Sequence, residues 1–319
     1  MLNRRTLLKA GLGAAVPSLP AWAQDGPGFG VPPIPSTGYR RKKLGDIEVI
    51  ALSDGVSRRP LTEQFVTNAP LAEVRALLAV QGLPTDYIDV PYTPFVLVFG
   101  GRKLLFDAGL GEYGGPTAGK LLTHLRAAGL QAGDIDTVVI SHFHGDHIHG
   151  LRNKAGDLAF PKARVLVPAP EYAFWMDDGK ARAATDERSK GLFANARRVF
   201  GDMPEAMLQR FEPGAELLPG LRSMPAYGHT PGHTVFEAGR GPHRFHYLAD
   251  LTNVPALFAR QPDWAVGFDM DPAAASRVRR EIFARLVSSR AMVGGFHFPF
   301  PAFGHIEAAG SGYAFKPQV

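Results

Sequence analysis

Three histidines and one aspartate stand within six consecutive residues near the middle of the chain, directly after an apolar run. On an extended segment side chains alternate, so His142 and His144 should point the same way. Gly145 lets the chain turn, which brings Asp146 and His147 to a neighbouring point. Imidazole and carboxylate groups together suit a borderline cation such as zinc. Because the whole chain has only 11 His, a metal site explains this clustering better than a solvated loop does.

Three further segments each place a histidine or an aspartate where an apolar run gives way to a loop. Residues 228–234 carry His229 and His233, the run that ends at Ala249 is followed by Asp250, and a Gly-Gly pair precedes His297 by two residues. Together with the first cluster, these segments resemble the metallo-β-lactamase superfamily of metallohydrolases.

The matching positions in that family form a two-metal site. The resemblance therefore implies one ion among His142, His144 and His229, a second among Asp146, His147 and His297, and Asp250 as the bridge between them. The implied cofactors are two divalent metal ions per chain, with zinc as the first candidate. His233 is expected to support the ligands, since the set of seven is complete without it.

Four shorter motifs narrow the match. They are Leu-Ser-Asp-Gly at residues 52–55, Phe-Asp-Ala-Gly at 106–109, Asp-Glu-Arg-Ser-Lys-Gly at 186–191 and Gly-His-Ile at 304–306. They resemble the branch of the family that contains methyl parathion hydrolase and related lactonases. Asp107, in the second motif, has two open interpretations: it supports the ligand loops, or it is a turn residue at a strand end.

Two cations about 3.5–4 Å apart can share a water and lower its pKa toward about 7. The resemblance thus implies a hydrolase whose nucleophile is a hydroxide that bridges the two ions. The predicted catalytic residues are Asp146, which would ligate one ion and orient the hydroxide, and Asp250, which would fix the separation of the ions. The expected substrates are small-molecule lactones or aryl esters, with phosphotriesters as a further candidate.

Aromatic residues are candidates for the walls of the substrate pocket. The best placed by resemblance are Trp175, Phe298 and Phe300, although large aromatics dominate protein cores as well. Where the methyl parathion hydrolase branch has pocket phenylalanines, this chain has Gly114 and Leu192. Loss of these rings should weaken the binding of an aryl leaving group, so the sequence favours lactones or esters over aryl phosphotriesters.

Other functions remain open at this point. An organophosphate hydrolase of the methyl parathion type is the alternative among hydrolases. A mononuclear metal oxygenase on the same fold is an alternative of another class, but it needs fewer ligands than this chain retains. A binding protein without catalysis should have lost some of the seven ligands, and none is missing.

Apolar runs alternate with helical patterns from Tyr39 onward. Seven runs predict strands, at residues 47–52, 95–99, 103–106, 137–140, 164–167, 245–248 and 291–294. Helices are predicted at residues 71–81, 118–128 and 272–288. This mixture favours two sheets packed between helical layers. The resemblance implies the fold class α+β: an αββα sandwich of two mixed sheets flanked by helices, with the metal loops at one sheet edge. A single hydrolase domain should span residues 39–319.

The amino terminus resembles a twin-arginine export signal, with Arg4 and Arg5 before a short apolar core and a small-residue cleavage site that ends at Ala23. We therefore expect a signal peptide at residues 1–23, a Pro- and Gly-rich linker at 24–38, transport by the twin-arginine translocase, and a periplasmic or secreted product. The chain has no cysteine, which excludes disulfides and thiolate chemistry. The sequence has no basic patch with interleaved aromatics, so we do not expect it to bind nucleic acid. A homodimer is a further expectation from the family branch.

Overall fold

The computed structural model describes residues 28–318. The predicted signal peptide therefore lies outside the described residues. Residues 28–38, which belong to the predicted linker, form no helix or strand. Their Phe29 packs against Tyr87, with 5.4 Å between ring centroids. The described part of this segment thus lies against the folded domain.

The first sheet takes its strands from the amino-terminal part of the described chain. Its seven strands lie in the order β1-β2-β5-β6-β7-β8-β9. The pairs from β1 to β6 are antiparallel, whereas those from β6 to β9 are parallel. A separate antiparallel ribbon pairs β3 with β4. The bounds are β1 Tyr39–Leu44, β2 Ile47–Leu52, β3 Gly55–Pro60, β4 Tyr87–Tyr92, β5 Phe95–Phe99, β6 Arg102–Phe106, β7 Thr137–Val139, β8 Arg164–Pro168 and β9 Leu208–Phe211.

The second sheet takes its strands from the rest of the described chain, in simple sequence order from β10 to β16. The β13–β14 pair is parallel, and all other neighbouring strands of this sheet are antiparallel. Both sheets are therefore mixed. The bounds are β10 Glu216–Leu218, β11 Leu221–Pro225, β12 Thr234–Arg240, β13 His243–Tyr247, β14 Met292–Gly294, β15 Phe303–Ala309 and β16 Gly312–Pro317.

Eight α-helices surround the sheets within residues 28–318. They are α1 Leu71–Ala79, α2 Leu121–Ala127, α3 Gly145–Ile148, α4 Ala169–Trp175, α5 Asp178–Ala183, α6 Glu187–Phe200, α7 Pro255–Phe258 and α8 Pro272–Ser289. Asp186 explains part of the sequence motif at 186–191, because its side chain caps α6 by accepting a hydrogen bond from Ser189 N. Within these same residues, no helix is long and apolar enough to cross a membrane.

Strand β2 shows why the sheets form a sandwich. Its residues alternate between two buried clusters: Val49 and Ala51 join the cluster between the sheets, while Ile50 and Leu52 join the cluster under the helices. A strand buried on both faces reads as a continuous apolar run, which is why its bounds were predictable. Helices α2, α4 and α6 cover the outer face of the first sheet, and α8 packs on β15 of the second. The predicted αββα class is confirmed.

Candidate metal centre

The metal-site candidates lie at one edge of the two sheets, on loops and, for Asp146 and His147, in the short helix α3. His142 and His144 follow β7, and His229 precedes β12. Asp250 and His297 follow β13 and β14, which are parallel neighbours and therefore end at the same edge. A backbone hydrogen bond from Thr234 N to Ser141 O, 3.1 Å long, ties the loops of the two sheets together.

The first ligand group consists of His142, His144 and His229. All three side chains are buried, and one nitrogen from each lies within 4.8 Å of the others. The closest pair is His229 Nε2 and His144 Nδ1, at 2.9 Å. These residues come from both sheets, so only the folded sandwich assembles the group.

The second ligand group consists of Asp146, His147 and His297, whose ligand atoms also lie within 4.8 Å of one another. Asp146 Oδ2 lies 3.7 Å from His147 Nε2 and 3.4 Å from His297 Nε2. The Asp146 side chain keeps 24% of its surface exposed, whereas those of the two histidines are almost completely buried. Asp146 is therefore the member of this group that solvent and small molecules reach most easily.

Asp250 lies between the two groups. Its Oδ1 is 3.1 Å from His147 Nε2. Its Oδ2 is 3.3 Å from His229 Nε2 and 3.1 Å from His297 Nε2. One carboxylate thus faces histidines of both groups, which is the position that a bridging ligand requires. The structure brings all seven predicted ligands together.

The hydrogen bonds of the imidazoles show that the site fits metal ions. In four histidines the Nδ1 atom already has a hydrogen-bond partner. His142 Nδ1 lies 3.0 Å from Ser141 Oγ, and His147 Nδ1 lies 2.7 Å from Asp107 Oδ2. His229 Nδ1 lies 2.8 Å from Asp269 Oδ1, and His297 Nδ1 lies 2.8 Å from Pro91 O. Metal-binding histidines are typically oriented in this way. Among the described residues, the buried Nε2 atoms of His142 and His144 have no hydrogen-bond partner, and Nε2 of His147 and Oδ1 of Asp250, 3.1 Å apart, are not in hydrogen-bonding geometry. Buried polar atoms rarely stay unpaired, so these converging atoms fit bound cations.

Asp107 is the support of the second ligand group. Its Oδ2 accepts hydrogen bonds from Ser141 Oγ, His147 Nδ1 and Tyr247 Oη at 2.6–2.7 Å, and its Oδ1 accepts from Ser141 N at 2.8 Å. The backbone of Asp107 has a φ of +58°, an uncommon value outside glycine. It is therefore both a strand-end turn residue and a support of the ligand loop, so the two interpretations of the sequence are compatible.

His233 hydrogen-bonds the backbone of Asp250, and its ring lies beside those of His142 and His229, with 5.1 Å and 5.6 Å between ring centroids. Burial, together with the nearby charge of His229, lowers the pKa of His233 to about 3, so its ring is neutral. Its Nδ1 donates to Ala226 O at 2.9 Å, and its Nε2 accepts from Asp250 N at 3.1 Å. The preceding Ala249 has a φ of +45°. This hydrogen bond helps to fix the strained turn that directs Asp250 into the site.

Electrostatics divide the imidazoles into two classes in the metal-free state. Burial, with neighbouring histidine charges, lowers the pKa of His142 and His144 well below the ordinary value. Burial also disfavours charge on His229, but hydrogen bonds to Asp250 and Asp269 outweigh it and raise the pKa to about 9. For His147 the same penalty is outweighed by Asp250 and Asp107, and its pKa is raised well above the ordinary value.

The Leu-Ser-Asp-Gly motif acts through Asp54. This carboxylate is completely buried and accepts hydrogen bonds of 2.8 Å from Leu110 N and Leu121 N. Burial raises its pKa to about 7, although backbone donors oppose the shift. Gly109 packs so closely on this carboxylate that a Cβ there would lie 2.7 Å from it. Asp54 thereby secures the loop that follows Asp107.

The sequence missed three charged residues behind the ligands. Asp269 holds His229 and is itself paired with the buried Arg279, at 3.4 Å. Glu171, in the first turn of α4, is completely buried against the first ligand group. These residues share no motif or spacing with the ligands. In the sequence, the only sign of Glu171 was an acidic residue beside a proline and apolar residues, and such a pattern is too common to predict a role.

The predicted pocket walls need correction. Trp175 and Phe298 are almost completely buried: Trp175 packs on Phe193 at 4.9 Å between ring centroids, and Phe298 packs on Phe315 at 4.6 Å. They are core residues, because the sandwich offers large rings more apolar contact inside than at its rim. Leu192 and Phe300 are half-buried. Leu192 packs against the cluster under the helices, and Phe300 packs against the cluster between the sheets.

The backbone around Gly114 explains why this position carries no side chain. A Cβ at this position would lie 2.3 Å from Gly119 N and 2.5 Å from the Ala118 carbonyl carbon. The backbone therefore leaves no room for any side chain there, whatever substrate is bound. Two aromatic rings that pack on the candidate ligands were not predicted. The Phe296 and His147 ring centroids lie 3.9 Å apart, and those of Tyr92 and His297 lie 5.6 Å apart.

Comparison with known proteins agrees with the fold. A model of the metallo-beta-lactamase superfamily matches residues 89–251, just over half of the chain. The ribonuclease Z of Thermobifida fusca is 31% identical over 161 residues, which cover 49% of this chain and 43% of that protein. The exodeoxyribonuclease WalJ of Streptococcus pneumoniae is 32% identical over 111 residues, or 34% and 37% of the two chains. The matches thus span less than half the length of these curated relatives.

Solved structures are similar over much more of the chain. AidC, a dizinc quorum-quenching lactonase in complex with the product N-hexanoyl-L-homoserine, is 27% identical with a TM-score of 0.80, and the match covers 88% of this chain and 98% of that one. The hydrolase AbOPH of the beta-lactamase superfamily has a TM-score of 0.82 at 24% identity over the same shares, which shows the fold alone. The αββα sandwich with its His and Asp groups defines a class of metal-binding proteins. Within that class, this chain belongs to the metallo-β-lactamase superfamily.

Proposed function

We propose that this protein is a dinuclear metal-dependent hydrolase that opens lactones, with aryl esters as secondary substrates. The observation that carries the proposal is the Asp250 carboxylate, whose two oxygens face histidines of both ligand groups. The first ligand group would hold one ion and the second group the other. Zinc suits the donor set, which contains five imidazoles, two carboxylates and no sulfur.

Two such ions, when bound, would lower the pKa of a bound water toward about 7 and polarise the carbonyl of the substrate. The residues of the chain supply the rest of the reaction. Asp146 is the partly exposed candidate ligand, and its carboxylate would accept the proton of the attacking water and return it to the leaving oxygen. Hydrolysis then adds water across the acyl carbon–oxygen bond and leaves a carboxylate and a hydroxyl group.

Two features support a lactone as the substrate. The structurally similar AidC is a lactonase and binds an N-acyl homoserine product. In addition, this chain has Gly114 and Leu192 where the methyl parathion hydrolase branch, by resemblance, has pocket phenylalanines. A ring contact is worth about 0.5–1.5 kcal/mol beyond area burial. The missing ring should therefore weaken the transition state for aryl phosphotriesters more than that for lactones.

The test of substrate choice is a comparison of kcat/KM on zinc-loaded protein. The panel is N-hexanoyl-L-homoserine lactone, 4-nitrophenyl acetate, methyl parathion and bis(4-nitrophenyl) phosphate. We expect the lactone to exceed methyl parathion by at least about tenfold, which corresponds to about 1.4 kcal/mol in the barrier. Protein with Asp250→Ala measures the background.

A preference of tenfold or more for methyl parathion would contradict the lactone assignment and favour an organophosphate hydrolase. A preference for the phosphodiester would favour the kind of bond cleaved by the nuclease relatives. One tightly bound iron per chain, without hydrolysis of any of the four compounds, would favour a mononuclear oxygenase.

Export through the twin-arginine pathway is a further part of the proposal, supported by Arg4 and Arg5 before an apolar segment. Substitution of both arginines by lysine keeps the charge but removes the paired guanidinium groups. We expect the double-lysine precursor to accumulate in the cytoplasm, as measured by cell fractionation and immunoblotting. Normal processing and periplasmic recovery of this variant would contradict the proposed pathway. The homodimer also stays a prediction.

A further inference from the structure

A single buried carboxylate joins the two loops that form the first ligand group. Glu171 lies in α4, directly after strand β8, and its side chain has no exposed surface. Its Oε1 accepts a hydrogen bond of 2.9 Å from Phe143 N, the peptide group between His142 and His144. The same oxygen accepts 2.7 Å from Trp175 Nε1, one helical turn further along α4.

The other oxygen of Glu171 binds the loop of His229. Its Oε2 accepts hydrogen bonds from Thr230 Oγ1 at 2.9 Å and from Gly232 N at 2.7 Å. Gly232 is required here, because a Cβ on it would lie 2.3 Å from Glu171 N. The loop is thus seated directly on the backbone of α4 as well as on the carboxylate.

We propose that Glu171 is a positioning residue for the first ligand group, and that the affinity of this group for its ion depends on the Glu171 carboxylate. The carboxylate touches none of the three ligand rings. It acts through the peptide groups next to them, and it joins a loop of the first sheet to a loop of the second. The inference rests on the proposed function only in taking this group to hold an ion.

The geometry explains why a carboxylate is needed. Each oxygen accepts two hydrogen bonds, and both pairs of donors are buried. Glutamine has one oxygen and one NH2 group, so in either orientation one pair of donors meets an NH2 group. A buried donor that loses its acceptor is costly. In Glu171→Gln, one of the two ligand loops should therefore move away from its position.

The test separates the two ligand groups by removing one of them. His297→Ala leaves the first ligand group, and His229→Ala leaves the second. Zinc affinity is measured by competition with a chromophoric chelator. In the His297→Ala protein, added Glu171→Gln should weaken zinc binding by about 10- to 100-fold, the usual effect of losing a partner of metal ligands. In the His229→Ala protein, the same substitution should change affinity by no more than about twofold, as for independent sites.

Trp175→Phe is the matched control. It removes one of the four donors from the same buried carboxylate but leaves the bonds to both ligand loops. We expect it to change zinc affinity in the His297→Ala protein by no more than about twofold. If Glu171→Gln does not fold by circular dichroism, Thr230→Val takes its place. Thr230→Val removes one hydrogen bond between Glu171 and the loop of His229, and it should weaken zinc binding at least about fivefold.

Three results would overturn the inference. They are unchanged zinc affinity in folded Glu171→Gln, equal losses in the two single-group proteins, and a loss in Trp175→Phe as large as that in Glu171→Gln. No measurement uses a substrate. An enzyme without lactonase activity would therefore contradict the proposed function and leave this inference standing, whereas unchanged zinc binding in an active Glu171→Gln enzyme would do the reverse.

Discussion

Asp250→Ala is expected to bind one metal ion tightly where we expect the unmodified protein to bind two, and to lose more than about 100-fold in kcat/KM. Loss of a partner of a metal ligand already costs about 10- to 100-fold, and Asp250 faces both ligand groups directly. Its removal also leaves His147 and His229, both with raised pKa values, without their shared counter-charge. Repulsion between these rings lowers their pKa and so eases their deprotonation, which means that the expected loss comes from the missing ligand.

The measurements are metal content by elemental analysis after dialysis, and turnover of the best substrate in the panel. Asp86→Ala is the control, since this side chain is 72% exposed and lies in a weak surface pair with Arg75. It should bind two ions and keep normal turnover. Two tight ions and full activity in Asp250→Ala would show that the ligand groups do not depend on a bridging carboxylate.

Metal-stripped protein should be inactive, and zinc should bind it with a release of protons that makes the affinity rise with pH. At pH 7 the His229 side chain, with a pKa of about 9, is mainly protonated in the metal-free state. His147 also has a raised pKa. Imidazole binds a metal only in its neutral form, so each of these protons must leave. Each released proton makes the affinity about tenfold stronger per pH unit between pH 7 and 9.

The raised pKa of His229 also determines how the stability of the metal-free protein changes with pH. The pKa of His229 in the folded protein lies above its unfolded value of about 6.5. Its charge therefore stabilises the metal-free fold below about pH 6.5, and this stabilisation is lost as pH rises through about 9. Between pH 7 and 9 the melting temperature of the stripped protein should fall relative to that of the zinc-loaded protein.

Calorimetric zinc titrations in buffers of different ionisation enthalpy count the released protons. Asp269→Asn is the matched variant, because it removes one of the two carboxylates that raise the pKa of His229. It should release fewer protons at pH 7.5 and show a flatter dependence of affinity on pH. Equal proton release by both proteins, or an affinity independent of pH, would contradict the charged state assigned to His229.

Local spacing made the ligands readable from the sequence. His142, His144, Asp146 and His147 lie so close in the chain that their proximity hardly depends on the fold. Strands buried on both faces were equally readable, and the predicted β2 and β5 agree with the observed bounds. Nine strands of the described part of the chain were not predicted: β1, β3, β4, β9, β10, β11, β12, β15 and β16. Most of them contain half-exposed or exposed residues that interrupt an apolar run.

The amino-acid sequence by itself determined the superfamily, the sandwich and the identity of the candidate ligands, since each depends on residue types at short or regular spacing. Only the tertiary structure decided which atoms face one another across the two sheets. It placed Asp250 between the ligand groups and Glu171 behind two loops. It also buried Trp175 in the core. The physical reason is that burial and hydrogen-bond partners depend on contacts between segments far apart in the chain, which residue spacing does not record.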